Sequence, residues 1–249
     1  MDDSEILRQL EKYKFYHIIK LTDTISTPGV EDFAKLHEPV YRAMDRLDFK
    51  GKRVLDVGCR DGLFCFEAEK RGALEVEGID NCLSLGAVEF LIPFLKSRVR
   101  MREMGLYDLT PTALGEFDIV LFLGVLYHLR YPFQALHILT DILRDGGYMI
   151  VETGIFADDD LRSLLFCPVG EESPYERSSC SFFNRKGLID TLRSFGLRVE
   201  SVGYSNDEDR SCVDGRVIRG TFLCVNDRSL RKEFPQEYWV GATHENWKK

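Results

Sequence analysis

A chain of 249 residues can fill one sizeable core, and 44% hydrophobic with 30% charged residues excludes a disordered or fibrous protein. A formal net charge of -8 argues against a broad footprint for nucleic acid or anionic lipid, leaving local groups such as Arg98, Arg100 and Arg102 or Arg185 and Lys186, for which a solvated surface is the plainer account. Seven scattered cysteines without a Cys-x-x-Cys pair point away from disulfides and structural zinc; no run of about 18 apolar residues occurs, and Met1-Asp2-Asp3-Ser4-Glu5 lacks the basic start of a secretory signal, so a cytoplasmic protein is expected.

In chain order, residues 5–13 and 30–47 have helical character, and residues 1–50 are read as a helical cap on the domain over 51–226. Residues 54–58 form an apolar strand, 63–71 a helix, 76–80 a second strand, 85–95 a second helix despite Pro93, and 99–104 a third strand. The segment Phe117-Asp118-Ile119-Val120-Leu121-Phe122-Leu123 is nearly continuously apolar, as a central strand buried on both faces should be. Pro132 opens a helix expected to end at Gly146-Gly147, before a strand over 148–153. Residues 156–183 read as an irregular, lid-like insertion, Asn184 caps a helix ending at Gly196, and strands over 198–204 and 217–225 form a closing hairpin joined by the polar stretch 205–216. The alternation predicts an α/β fold, Rossmann-like and doubly wound, with a mostly parallel seven-stranded sheet and an antiparallel C-terminal hairpin over residues 51–226; the tail 227–249 shows no period.

The stretch Asp56-Val57-Gly58-Cys59-Arg60-Asp61-Gly62 joins a predicted strand to a predicted helix, and Asp80 ends the next strand. Gly58 permits a tight turn beside a ligand and Gly62 close packing at the helix start, while the acid can accept hydrogen bonds from both ribose hydroxyls of an adenosine. Dinucleotides and S-adenosylmethionine both use such an acid. Where a dinucleotide fingerprint has the glycine that lets backbone approach a pyrophosphate, this chain has Arg60, which favours the cosubstrate without a pyrophosphate.

With Gly78-Ile79-Asp80, Phe117-Asp118, Gly124-Val125-Leu126-Tyr127-His128, Gly146-Gly147 and Glu152-Thr153 in register, the chain resembles the class I methyltransferases, and among them the bacterial tRNA wobble-uridine carboxymethyltransferases and their unassigned relatives. Phe15-Tyr16-His17 and Thr27-Pro28-Gly29 add to the likeness, which covers residues 15–225. The resemblance implies S-adenosylmethionine as cosubstrate, S-adenosylhomocysteine as product and no metal. It places Asp56, Gly58 and Gly62 in the cosubstrate loop, Asp80 with Asn81 and Cys82 at the ribose, Leu106 and Tyr107 at the adenine, Leu123 and Tyr127 along the cosubstrate, and Phe33 as an aromatic of the pocket. Arg219 matches an arginine that grips a carboxylate in the tRNA enzymes, whose cosubstrate is carboxylated; Glu38 stands where one of their lysines falls, and Lys20 is a loose match for another.

His128 is the first candidate for a general base, because it follows the central strand where such sheets bind ligands, with a structural histidine as the bland alternative. His17 is the second candidate. Glu152, at a strand end, can orient the acceptor or accept a proton, or cap the loop; Tyr175 and Arg177 of the insertion can touch substrate or be solvated loop residues; Arg219 can bind a carboxylate or form a surface ion pair. The expected function is methylation of a small molecule, a sugar or a biosynthetic intermediate, with tRNA wobble-uridine modification and a non-catalytic partner subunit as the alternatives. No membrane partner is expected.

Overall fold

The computed structural model describes residues 1–30, 36–212 and 215–234. Helix α1 (Asp3–Leu10) starts where the Asp2 carboxylate accepts from the Glu5 N–H, and α2 (Glu38–Met44) has Pro39 in its first turn. The chain then enters β1 (Arg53–Val57), α3 (Leu63–Lys70) and β2 (Glu75–Asp80). The single helix expected over 85–95 is instead a π turn, Ala87–Leu91, running into α4 (Ile92–Leu95). Pro93 offers no N–H, and the turn before it widens so that the Ile92 N–H reaches the Ala87 carbonyl.

β3 (Arg100–Glu103) is a short edge strand, α5 (Pro111–Leu114) a single turn, and β4 (Phe117–Leu123) the central strand. Helix α6 (Pro132–Ile142) ends four residues before Gly146, not at it, because Leu143 is already extended and pairs with Phe117. β5 (Leu143–Ala157) is correspondingly longer than expected. The insertion is only partly irregular, since it contributes β6 (Leu165–Phe166) and β7 (Phe182–Asn184). The Asn184 side chain caps α7 (Arg185–Ser194), and β8 (Leu197–Cys212) with β9 (Gly215–Asn226) closes the sheet.

The pairing runs β3-β2-β1-β4-β5, all parallel, followed by β9 and β8 antiparallel, which gives the seven strands expected; β7 and β6 of the insertion bring the sheet to nine. β7 adds to β5 at Ile155 and Phe156, past the last β4 partner of that strand, so the insertion stands beyond the carboxyl end of β4. Alternation along the strands splits the core in two. Leu55, Val120 and Phe122 face Leu136, Leu139, Leu188 and Leu192 of α6 and α7; Val54, Ile119 and Leu121 face Val40, Met44, Phe64 and Ala68 of α2 and α3. Both faces of the sheet are thereby covered, and the chemistry is left to its ends. Among the described residues no helix is long and apolar enough to cross a membrane.

Candidate active site at the carboxyl ends of the central strands

β1 delivers the chain into a turn that folds back on β2, with the N–H groups of Gly58 and Cys59 both donating to the Ile79 carbonyl at 2.8 and 3.0 Å. Gly58 has φ +74°, and a Cβ there would stand 2.4 Å from Cγ2 of Val125 in the turn after β4. The two loops therefore approach as closely as they do only because residue 58 is glycine. Asp80, 8% exposed, is held by one bond to each oxygen, from the Arg60 N–H at 3.0 Å and the Cys82 N–H at 2.8 Å. An ionised carboxylate has about four acceptor directions, so two remain for hydroxyls. Asp56 lies beneath the loop, where burial pushes its carboxyl up to about 7, opposed by the Cys65 thiol, which donates to it at 3.2 Å, and reinforced by Asp80.

Asp61 fastens the N-terminal segment to this loop. Its Oδ2 accepts from the backbone N–H of Tyr16 and, at 2.8 Å, from that of His17. The His17 ring is buried, with Nδ1 3.7 Å from the same carboxylate and without a hydrogen bond. Burial holds His17 down to about 4, against the pull of Asp61. His37, at the start of α2, lies 5.6 Å from the His17 ring and 5.1 Å from that of Phe64; burial, His17 and Arg219 hold it down to about 3. Both imidazoles are neutral at physiological pH.

From the other side, β5 and β9 pair Glu152 opposite Thr221 and bring Arg219 across to it. The guanidinium grips both carboxylate oxygens at 2.5 Å, and the two side chains are only 10% and 6% exposed. Burial alone would lower the arginine, but Glu152 outweighs it and raises Arg219 well above its ordinary value. The pair is thus a buried one, not the surface ion pair that the sequence left open. Arg219 also lies over the rings of Tyr127 (4.9 Å) and Tyr175 (5.7 Å), which stack with Phe182 as three nearly parallel rings. His128 follows Tyr127, with Nδ1 3.1 Å from the Ser179 hydroxyl.

The structure gathers Gly58, Gly62, Asp80, Asn81 and Cys82 on the β1 and β2 ends. Leu106 and Tyr107 follow β3; Leu123 ends β4, and Tyr127 and His128 follow it; Glu152 and Arg219 stand on the next two strands. Tyr107, 39% exposed, donates to the Tyr131 carbonyl at 3.3 Å. Arg177 does not join them; it pairs with Glu171 on the surface of the insertion, with its side chain 78% exposed. Phe33 lies outside the described residues. His37 and Ser179 are brought in although no sequence motif marks them, and Asp61, inside the loop stretch, is brought in by a role that the stretch does not show, because each is defined by a partner far along the chain. Only the place of Asp61 between two loop glycines could have flagged it.

A glycine turn closed on β2, a carboxylate at the end of that strand and a parallel sheet finished by an antiparallel hairpin define a class I S-adenosylmethionine-dependent methyltransferase, and the loop cradle with two free acceptor directions on Asp80 fits that cosubstrate. Residues 31–202 match the family model described as "Methyltransferase domain", and the chain belongs to that family. Similar curated proteins include the tRNA U34 carboxymethyltransferase of Helicobacter acinonychis (strain Sheeba), 33% identical over 64% of this chain and 58% of that one. The enzyme of the same name from Pseudomonas aeruginosa (strain LESB58) is 36% identical over 70% of this chain and 50% of that one. The chain spans about half the length of the curated relatives it matches. Among solved structures, the N-terminal domain of EvdMO1 with SAH bound shares the fold with TM-score 0.68 and 20% identity, over 91% of this chain and 98% of that one. The Burkholderia thailandensis 1,6-didemethyltoxoflavin-N1-methyltransferase does so with TM-score 0.54 and 16% identity, over 79% and 76% of the two chains.

Proposed function

We propose that the chain transfers the methyl group of S-adenosylmethionine to a neutral hydroxyl of a small molecule or sugar. When bound, the cosubstrate supplies an electrophilic methyl on a sulfonium. Gly58 and Gly62 would lie along its methionine part, Asp80 with Asn81 and Cys82 would hold the ribose, and Leu106, Tyr107 and Leu123 would flank the adenine side. Tyr127, with Arg219 already over its ring, would line the cosubstrate side of the pocket. Holding the acceptor in near-attack geometry can supply about 7–11 kcal/mol. His128 is the base that receives the hydroxyl proton.

The observation that carries this reading over transfer of a carboxylated methyl is the closed Arg219–Glu152 pair. An arginine grips a carboxylate of a cosubstrate side-on through its Nε and Nη2 donors, and here that edge, two of the five N–H donors, is taken by the chain's own carboxylate. Glu38, at a position where a lysine would serve the same purpose, pairs with Arg42 one turn further on. Calorimetry tests the choice: ordinary S-adenosylmethionine should bind at least as tightly as its carboxylated form, and clear preference for the carboxylated form would contradict it.

Modification of the tRNA wobble uridine is the second reading, supported by the name of the curated relatives. It requires basic surface. Yet Arg98 faces Glu69, Arg100 pairs with Glu75 and Glu77, Arg102 pairs with Glu77, and Arg185 and Lys186 pair with Asp160 and Asp190. A tRNA gel shift across salt concentrations separates the two readings: binding that weakens steeply with salt supports the tRNA enzyme, and no shift at low salt supports the small acceptor.

A further inference from the structure

Residues 179–181 of the insertion are fastened to the turn that carries His128. The N–H groups of Cys180 and Ser181 donate to the Tyr127 carbonyl at 2.8 and 3.1 Å, and the Ser181 hydroxyl donates to the Leu129 carbonyl at 2.5 Å. Ser179 is fully buried, 0% exposed, and its Oγ stands 3.1 Å from His128 Nδ1 and 3.0 Å from Glu176 Oε2. A serine hydroxyl has a single hydrogen, and a carboxylate only accepts. That hydrogen goes to Glu176, so the bond to the ring must run the other way, from Nδ1–H to Oγ. The histidine side chain is 35% exposed, and no described residue bonds its other nitrogen.

We propose that Glu176 and Ser179 are positioning residues that hold His128 with its hydrogen on Nδ1 and so present Nε2 as a bare proton acceptor. The role in catalysis rests on the methyl transfer proposed above; the tautomer itself does not. In that step the acceptor O–H proton passes to Nε2 while the oxygen–methyl bond forms and the methyl–sulfur bond breaks, its electron pair remaining on sulfur. The positive charge lost at sulfur appears on the imidazolium, which faces Glu176 at 3.8 Å from Nδ1, and the proton then leaves to water. The charged groups facing the ring oppose one another: Glu176 of the insertion raises its affinity for a proton, whereas burial, the largest influence, and Arg219 of β9 lower it.

Long-range proton–nitrogen NMR of the uniformly 15N-labelled full chain at neutral pH reads the tautomer directly, with the His128 signals assigned by their loss in His128→Gln. The wild type should show Nδ1 protonated and Nε2 bare. Ser179→Ala should reduce the Nδ1–H to Nε2–H ratio by roughly three- to tenfold, the worth of one hydrogen bond, and Ser179→Thr, which keeps the hydroxyl, should restore it. Glu176→Ala, at an exposed position, should lower the ratio and also lower the pH midpoint of His128 titration, so the idea remains testable if Ser179→Ala fails to fold. A wild-type ring protonated on Nε2, or a ratio that neither substitution moves, overturns the proposal. S-adenosylhomocysteine calorimetry on the same samples keeps the two readings apart: loss of binding everywhere would refute the methyltransferase reading and leave the tautomer result standing.

Discussion

Asp80 spends one acceptor direction of each oxygen on the loops beside it, through the N–H groups of Arg60 in the turn after β1 and of Cys82 just past β2, and keeps the others for a ligand. Asp80→Ala should therefore both loosen the loop and remove the bonds to the ribose. A hydrogen bond to a charged group is worth about 1.5–3 kcal/mol, so S-adenosylhomocysteine affinity should fall at least tenfold by calorimetry; an unchanged affinity would remove Asp80 from the site. Glu152 and Arg219 make a different kind of pair, closed and out of water. Glu152→Ala leaves a buried guanidinium unpaired and should cost about 3–5 kcal/mol in urea unfolding, whereas replacing both partners with apolar residues of similar volume should be far milder. Equal losses in the single and double variants would contradict a closed pair. Asp56 gives the pH dependence its sign. Its folded value, about 7, lies above the ordinary 3.8, so the stability it contributes is complete below about pH 3.8 and is lost as pH rises through 7. His17 and His37, held down to about 4 and 3, act oppositely, their contribution being present above 6.5 and lost as pH falls through those values. Subtracting the Asp56→Asn profile from that of the wild type isolates the first effect, which should appear as a decline between pH 4 and 7. Gly58 and Asp80 are legible in the sequence because a turn glycine and a strand-end acid are local features. The tie from Asp61 to Tyr16, 45 residues away, is not, since no spacing encodes it.

Among the elements, the central strand β4 is the most legible, because burial on both faces makes it nearly continuously apolar. Strand ends are less so. Residues 205–212 are polar, which predicts a connection, yet they continue β8, paired to β9 with a shift in register between Ser205 and Asp209. Pairing in such a ribbon is made by backbone hydrogen bonds, and hydropathy does not report it. The π turn before Pro93 is hidden from the sequence for a related reason, since it is a change of backbone hydrogen-bond partner that hydropathy does not report. Asn184 is the cap its sequence position predicts and does more: its Oδ1 accepts from the N–H of Gly187 and of Leu164, and its Nδ2 donates to Asp158 and to the Arg162 carbonyl. It therefore ties α7, β7 and the start of the insertion together at a fully buried position. Asn184→Ala should cost roughly 2–6 kcal/mol, counting about 0.5–1.5 kcal/mol for the bond to each of the four partners, against about 1 kcal/mol for a cap alone; a urea-unfolding loss near 1 kcal/mol would show that the other bonds contribute little.

Across the whole molecule, the helices of the two faces bury the sheet and the loops at the carboxyl ends of its strands are left to bind, as in other open α/β sheets. The insertion, the N-terminal segment held by Asp61 and the Arg219–Glu152 pair stand around that end of the sheet. The cradle is built for an adenosine joined to a sulfonium side chain and not for a dinucleotide. Calorimetric titration of the full chain with S-adenosylhomocysteine and, in parallel, with NADH tests it most directly. S-adenosylhomocysteine should bind in the micromolar range, roughly -8 kcal/mol, with no measurable heat from NADH; tight NADH binding with no response to S-adenosylhomocysteine would refute the cradle's assignment.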